Sequence, residues 1–255
     1  MLEVCADQMR YISRLFESGM ALSCIQGHGG RAWANCLSTP DCACIVTLDF
    51  CTFAGDHRST DAPDLIRRAI AESVDAELIM YGGTDGWDAL IERVCPQAKR
   101  IIRYAVNKSG AFARELLEEY VRCLPGGYVL RVIDADIYPM IDQNPQMRDL
   151  LTRYTCAEEY LKNELGFCVM YDGEVVCGAA PYLLYDSGIE IQIDTHPSHQ
   201  RRGLALACAS KLILTCMERG IEPCWDAASI ASLELAKKLG YAFVREYFVY
   251  EITNN

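Results

Sequence analysis

Between residues 188 and 205 the hydrophobic pattern changes its period. Ile189, Ile191 and Ile193 alternate with Glu190, Gln192 and Asp194, the period of two that puts apolar side chains on one face of a strand and polar ones on the other. Pro197 cannot donate to a sheet ladder and ends that strand. An alanine-rich helix then runs from Leu204 to Arg219, closed by Gly220. An antiparallel strand with one face in water gives the same alternation. Here apolar segments lie on both sides, so the strand is expected to be central and its polar face to line a cavity.

The rest of the chain follows from the same two periods. Residues 4–17 carry Val4, Met9, Ile12, Leu15 and Phe16 at helical spacing before Gly19. Ala21–Gln26 and Arg31–Asn35 are expected to be strands around a turn at Gly27-His28-Gly29-Gly30, which lacks the Lys-Ser/Thr pair and following helix of a phosphate loop. Cys42–Phe53 reads as one long strand. Pro63 opens a helix to about Val74, Ala76–Tyr81 is a strand, Thr84 caps a helix to Val94, and Arg100–Val106 is another strand. A helix over Ala111–Leu124 ends at Pro125-Gly126-Gly127, read as a linker between domains 1–125 and 126–255.

In the second domain Tyr128–Ile133 is a strand, and Asp136–Glu164 gives short helices punctuated by Pro139 and Pro145. Phe167–Tyr171 and Glu174–Leu184 pair around Asp172-Gly173. After the strand and helix described first come a strand over Ile221–Asp226, a helix capped by Ser229 or Asp226 and ended by Gly240, and a closing strand over Tyr241–Ile252. The class is α/β, a mixed central sheet flanked by helices. The first half repeats the order of strands and helices, which suggests an α/β domain built on a degenerate copy of the same plan. Its Gly55-Asp56-His57-Arg58-Ser59-Thr60 lacks the spaced small residues found after Gln200.

Composition narrows the function. With 255 residues, 51% of them hydrophobic, the chain can bury a sizeable core. No apolar run reaches a membrane span, and the N-terminus lacks the basic-then-apolar order of a signal peptide, so the expected location is cytoplasmic. Lys plus Arg is 24 against 35 Asp plus Glu, a net charge of −11. That argues against a nucleic-acid binder, because phosphate contacts need a basic face. The fourteen cysteines are scattered without a Cys-x-x-Cys pair; they read as reduced, mostly buried thiols, and no metal site is expected.

Against this acidic background the turn Gln200-Arg201-Arg202-Gly203-Leu204-Ala205 stands out. Two arginines and small residues meet the start of a helix, whose free N–H groups and partial positive charge suit an anion such as a phosphate. The spacing Gln/Arg-x-x-Gly-x-Gly/Ala between strand and helix resembles the acyl-CoA pyrophosphate loop of the GNAT superfamily of N-acetyltransferases. A second stretch, Ser229-Ile230-Ala231-Ser232 to Lys238-Leu239-Gly240-Tyr241, resembles that superfamily's Asn-x-x-Ser/Ala start and Lys-Leu-Gly-Phe/Tyr end. Over its length the chain is also similar to a bacterial GNAT subgroup that includes zwittermicin A self-resistance acetyltransferases.

The resemblance implies a GNAT fold over residues 126–255 and acetyl-CoA as co-substrate, held by Ile193, Thr195, Gln200, Arg201, Arg202, Gly203, Leu204, Ala205, Ser229 and Ser232. It implies a small-molecule primary amine as acceptor; the apolar pattern gives no membrane partner, and a homodimer stays open. Glu190 resembles in position the family's catalytic base, with Asp194 as the second candidate; either can instead be the fixed partner of a substrate ammonium. Gln192, Trp225 and Asp226 are candidates for binding that substrate. Two departures are Ala236, where the family presents a tyrosine as acid, and Ser229, where asparagine is usual. Tyr241, Tyr247 or a water are the alternatives for that acid. A non-catalytic acyl-CoA-binding or regulatory module is the competing function, and a structural or interaction protein a second rival.

Overall fold

The computed structural model describes residues 1–16, 19–73, 77–108, 110–162 and 164–253. The expected ends at residue 17, Val74 and Ala76 lie outside the described residues. The chain forms two compact units, one of residues 1–103 and 246–255, the other of residues 104–245.

In the first unit, β1 (Leu2–Glu3), α1 (Met9–Ile12) between two 3-10 turns, and α2 (Gly19–Ile25) lead into the antiparallel strands β2 (Arg31–Ala34), β3 (Cys42–Thr47) and β4 (Phe50–Gly55). α3 (Ala62–Glu72) carries the chain to β5 (Glu77–Tyr81), parallel to β4 with Phe50 opposite Ile79 and Thr52 opposite Tyr81. α4 (Asp85–Val94) is capped by Thr84, whose hydroxyl accepts from the Trp87 N–H, and β6 (Lys99–Lys108) follows. Beside β5, Met80–Glu77 pair antiparallel with Tyr250–Thr253. Leu65, Ile66, Leu78, Met80, Trp87 and Ile91 fill the core.

Two expectations fail here. Residues 19–25 form a helix where a strand was expected: Ala21 and Cys24, three apart, are buried together, the helical spacing. Gly27, at φ 82, ends that helix. Its N–H bonds the Cys24 carbonyl at 3.0 Å and the His28 N–H bonds the Ser23 carbonyl at 2.8 Å, so the glycines close a helix rather than turn a hairpin. Residues 42–53 are two strands with Thr47 opposite Phe50 and Leu48 at φ 55 in the turn. Both strands are buried on both faces, so no polar alternation marks the break.

The second unit contains α5 (Arg114–Arg122), β7 (Tyr128–Val132), α6 (Tyr138–Asp142), α7 (Ala157–Leu161), β8 (Phe167–Tyr171), β9 (Glu174–Leu184), β10 (Gly188–Thr195) and α8 (Leu204–Arg219). β11 (Glu222–Cys224), β12 (Asp226–Ala227), α9 (Ile230–Leu239) and the first residues of β13 (Tyr241–Thr253) complete it. Its five-stranded sheet runs β11-β10-β9-β8-β7, antiparallel except for β10 and β11. On one face Ile189 and Ile191 pack with Leu204, Cys208 and Leu212 of α8; on the other lie Ile133, Tyr138, Leu150 and Tyr160.

The units divide elsewhere than at Pro125. α5, placed before that linker, packs on α8 through the buried Leu117. Among the described residues no helix is long and apolar enough to cross a membrane.

Candidate functional site

The opening in the second unit comes from two parallel strands that part. β10 and β11 pair as Gly188 with Glu222, Ile189 with Pro223 and Glu190 with Cys224. There β11 ends, and Asp226 and Ala227 pair instead with Ala105 and Tyr104 of β6. The single strand expected over Ile221–Asp226 is therefore two. Trp225 lies between them, 7% exposed, its indole N–H donating to the Ser232 hydroxyl at 3.1 Å and its ring 5.7 Å from that of Tyr241. Beyond Glu190, β10 pairs with β9 on one side, from Ile191 opposite Pro181 to Thr195 opposite Cys177. The other edge of residues 191–195 has no β11 partner. A register shift sits at the same point: Leu183 faces Glu190 and Pro181 faces Ile191, leaving Tyr182 as the extra residue. A bulge re-aims side chains and is a place where proline is tolerated in a ladder.

Burial along β10 does not alternate: Gly188–Ile191 are buried and Gln192–Thr195 are half-buried. Glu190 is 7% exposed and accepts from the Tyr185 hydroxyl at 3.1 Å. Burial, and then the Glu190 charge, raise the Tyr185 and Tyr241 hydroxyls and push the Cys224 thiol up to about 12. Toward the open end, the Gln192 amide donates to Asp194 at 3.0 Å. Burial pushes the Asp194 carboxyl up to about 6, Asp149 acts in the same direction, and the Gln192 bond opposes both. On the opposite face Ile193 packs against the core, and the Thr195 hydroxyl meets the Cys177 thiol at 3.1 Å.

The turn after β10 is built for close backbone approach. Pro197–His199 make a 3-10 turn, and the Gln200 amide donates back to the Thr195 carbonyl at 3.4 Å. Arg201 at φ 63 and Gly203 at φ 81 are both left-handed, and no side chain caps Gly203 at the start of α8. A Cβ at Gly203 would meet nothing within 4 Å. Alternating backbone handedness at an uncapped helix start gathers N–H groups into a concavity for an anion, with Leu204 and Ala205 in its first turn. Arg202 reaches the Ser198 carbonyl at 3.5 Å, and among the described residues neither arginine is in an ion pair. This donor set fits a diphosphate.

The structure brings Glu190, Gln192, Asp194 and the turn Gln200–Ala205 onto one strand and the helix start after it. The other candidates are engaged elsewhere. The Ser229 hydroxyl caps α9 by accepting from the Ser232 N–H at 3.2 Å, and Asp226 is in β12. Ala236 is fully buried in the core. Tyr247 belongs to the first unit, its ring edge-on to Tyr81 at 5.2 Å. Sequence reasoning did not find Tyr185, Cys224 or Asp149. The signal for Tyr185 was the short return before Gly188: its N–H bonds the Gly188 carbonyl at 2.8 Å, which brings it alongside Glu190.

The family model for GNAT acetyltransferases matches residues 12–250. A Bacillus subtilis strain 168 protein named as an uncharacterized N-acetyltransferase, YdfB, is 28% identical over 204 residues, covering 77% of this chain and 75% of its own. The crystal structure of a GCN5-related N-acetyltransferase-like protein from Streptococcus suis 89/1591 is 33% identical, with a TM-score of 0.86 over 96% of this chain and 98% of that one. A tandem GNAT protein from the clavulanic acid biosynthesis pathway shares the fold at 10% identity and a TM-score of 0.56, covering 97% of this chain and 93% of that one. With a family match over nearly its whole length, and a splayed strand pair leading to an uncapped helix start, this chain belongs to the GNAT acetyltransferase family and is an acyltransferase.

Proposed function

We propose that the protein is an acetyl-CoA-dependent N-acetyltransferase that moves an acetyl group to a primary amine of a small molecule, directly, with both substrates bound at once. The observation that carries this reading is the free edge of β10, which runs from the buried Glu190 to the uncapped start of α8. Acetyl-CoA supplies the acetyl thioester. Its diphosphate suits the N–H groups from Gly203 to Ala205 with Arg201 and Arg202 beside them, and its pantetheine amides suit the edge of β10 at Ile193 and Thr195.

An alkyl amine is almost fully protonated near neutral pH, so the chain must take a proton before the amine can attack. Glu190 is the base in this reading: a buried carboxylate oriented by the Tyr185 hydroxyl at the point where the strands part. A positioned base contributes about 10²–10⁴-fold. Asp194, steadied by Gln192, meets the ammonium on arrival. Ala236 offers no hydroxyl to the leaving thiolate, which with a thiol pKa near 8.5 is a tolerable leaving group unaided. The acidic face and the resemblance to the zwittermicin-type subgroup support a polar, amino-bearing acceptor. The fourteen free cysteines among the described residues support a reducing, cytoplasmic setting.

Calorimetry with acetyl-CoA, followed by thiol release across a panel of small amines, tests this. Glu190→Gln should lower kcat by about 10²-fold or more and leave acetyl-CoA affinity unchanged. An unchanged rate removes Glu190 as base. No binding at millimolar acetyl-CoA sinks the whole reading, and binding without release across the panel favours a coenzyme-binding module.

A further inference from the structure

The segment that precedes the coenzyme turn crosses the end of the sheet and is pinned on the far side. Leaving β10, the chain bonds β9 through the His196 N–H and the Val176 carbonyl at 2.9 Å. The 3-10 turn tightens there: the His196 ring Nδ1 accepts from the Ser198 N–H at 3.3 Å and lies 2.8 Å from its hydroxyl. The His199 N–H bonds the His196 carbonyl at 2.9 Å. His199 then reaches β7, the edge strand three places from β10, where its Nδ1 is 2.9 Å from the Tyr128 hydroxyl. Tyr128 and Tyr171 are directly opposite in the β7–β8 ladder, with ring centroids 4.8 Å apart. The His199 ring sits 5.7 Å from Tyr128, 5.3 Å from Tyr171 and 5.7 Å from His196. Gly127 makes room for the cluster: a Cβ there would stand 3.3 Å from the Tyr171 ring.

Two residues after His199 the backbone turns left-handed at Arg201, and again at Gly203. A non-glycine residue in that region costs about 1–2 kcal/mol and persists only where its surroundings impose it. On its N-terminal side Gln200 bonds within the turn, to the Thr195 and Pro197 carbonyls at 3.4 Å, and His199 is the residue beside it that is tied to a distant strand, β7.

We propose that Tyr128 and His199 are positioning residues for coenzyme binding: the hydrogen bond across the end of the sheet holds the turn at Arg201–Gly203 in its anion-binding shape before the coenzyme arrives. This rests on the reading of Gln200–Ala205 as the coenzyme loop. A preformed site binds without first ordering its own backbone, so the pin acts on coenzyme affinity and not on acetyl transfer. Between them the two residues contact other side chains of the cluster and the turn's own backbone.

The test uses the full-length protein, with calorimetric Kd for acetyl-CoA, steady-state kinetics against a fixed amine, and thermal melts. Tyr128→Phe keeps the ring and removes the hydroxyl. It should raise both the Kd and the KM for acetyl-CoA about fivefold, the range of one net hydrogen bond, with kcat within about twofold. His199→Phe, which keeps a ring without a hydrogen-bonding nitrogen, should do the same, and the double variant should add little to either single change. His199→Asn, which returns an acceptor oxygen near the place of Nδ1, should restore affinity to within about twofold. Lower thermal stability with Kd and KM unchanged in both Phe variants overturns the proposal, as does a fall in kcat alone. Failure of the wild-type protein to bind acetyl-CoA is a different result: it refutes the coenzyme loop itself, before any variant is made.

Discussion

Asp194 shows how one side chain can oppose stability and serve function. Its carboxyl is pushed from 3.8 up to about 6, mainly because burial penalises the charged form, with Asp149 adding like charge. Such a shift corresponds to about 3 kcal/mol, reduced to about 1–2 kcal/mol by the partial exposure of the group. The folded state holds the proton more tightly than the unfolded chain, so stability falls as pH rises from about 4 to about 6. Asp194→Asn should therefore raise Tm above pH 6, and the gain should vanish as pH falls below about 4. The same variant should raise the KM of the amine at pH 7.5. Melting curves at pH 4 and 7.5 check the first statement; a Tm gain equal at both would show that desolvation of the charge is not the cause. Glu190 makes the complementary case, a carboxylate held by a donor. Hydrogen bonds to charged groups are worth about 1.5–3 kcal/mol, so Tyr185→Phe, which frees the Glu190 carboxylate from its 3.1 Å partner, should lower kcat about tenfold with acetyl-CoA affinity intact. Equal loss of affinity would place Tyr185 in the coenzyme site instead.

At the scale of elements, each unit has one parallel strand pair that can be compared with the other. β4 and β5 are parallel neighbours in the first unit as β10 and β11 are in the second. Each pair is followed by a helix capped by a hydroxyl on the N–H three residues on: Thr84 on Trp87, and Ser229 on Ser232. In the second unit that third position is a small serine. In the first it is Trp87, 1% exposed, whose indole donates to the Gly55 carbonyl at 3.0 Å and stacks on Phe53 at 5.3 Å. The indole thus uses the end of β4 beyond its last pairing with β5. Asp61 and Asp64 at the start of α3 further disfavour an anion. Calorimetry should give one acetyl-CoA per chain; two would contradict this account. Trp87→Ala should cost about 3–5 kcal/mol through its cavity, read as a loss of Tm. Much of this was legible in the sequence. The period-two isoleucines, Pro197 and Gly220 fixed the bounds of β10 and α8, because a proline and a left-handed glycine each forbid continuation. α2 was not legible, since Met20, Ala21, Leu22, Cys24 and Ile25 form a nearly continuous apolar run with no decisive period over seven residues. Nor was the break at Trp225, because the split of β11 from β12 is decided by their partners in space, not by local preference. The Tyr128–His199 bond spans 71 residues and leaves no local trace.

For the whole molecule, the division into units does not follow the halves of the sequence. β6 begins in the first unit at Lys99 and ends in the second, where Tyr104 and Ala105 pair with β12; β13 begins in the second unit at Tyr241 and ends in the first, where Tyr250–Thr253 pair with β5. Each unit is thus completed by a strand from the other half. Cutting at the glycine-rich stretch after Leu124, the point that composition favours, would remove Phe112 and Leu117 from the core around α8, along with Tyr104 and Val106 packed against it. Losing one such large apolar side chain costs about 2–5 kcal/mol, and a whole domain is stable by only about 5–15 kcal/mol. A fragment of residues 126–255 should therefore show no cooperative melt although it contains both family motifs, whereas residues 104–245 should melt cooperatively. Circular dichroism on the two fragments decides between a boundary drawn by composition and one drawn by packing. A cooperative transition in 126–255, with acetyl-CoA affinity equal to that of the full chain, would show that the exchanged strand and α5 are dispensable.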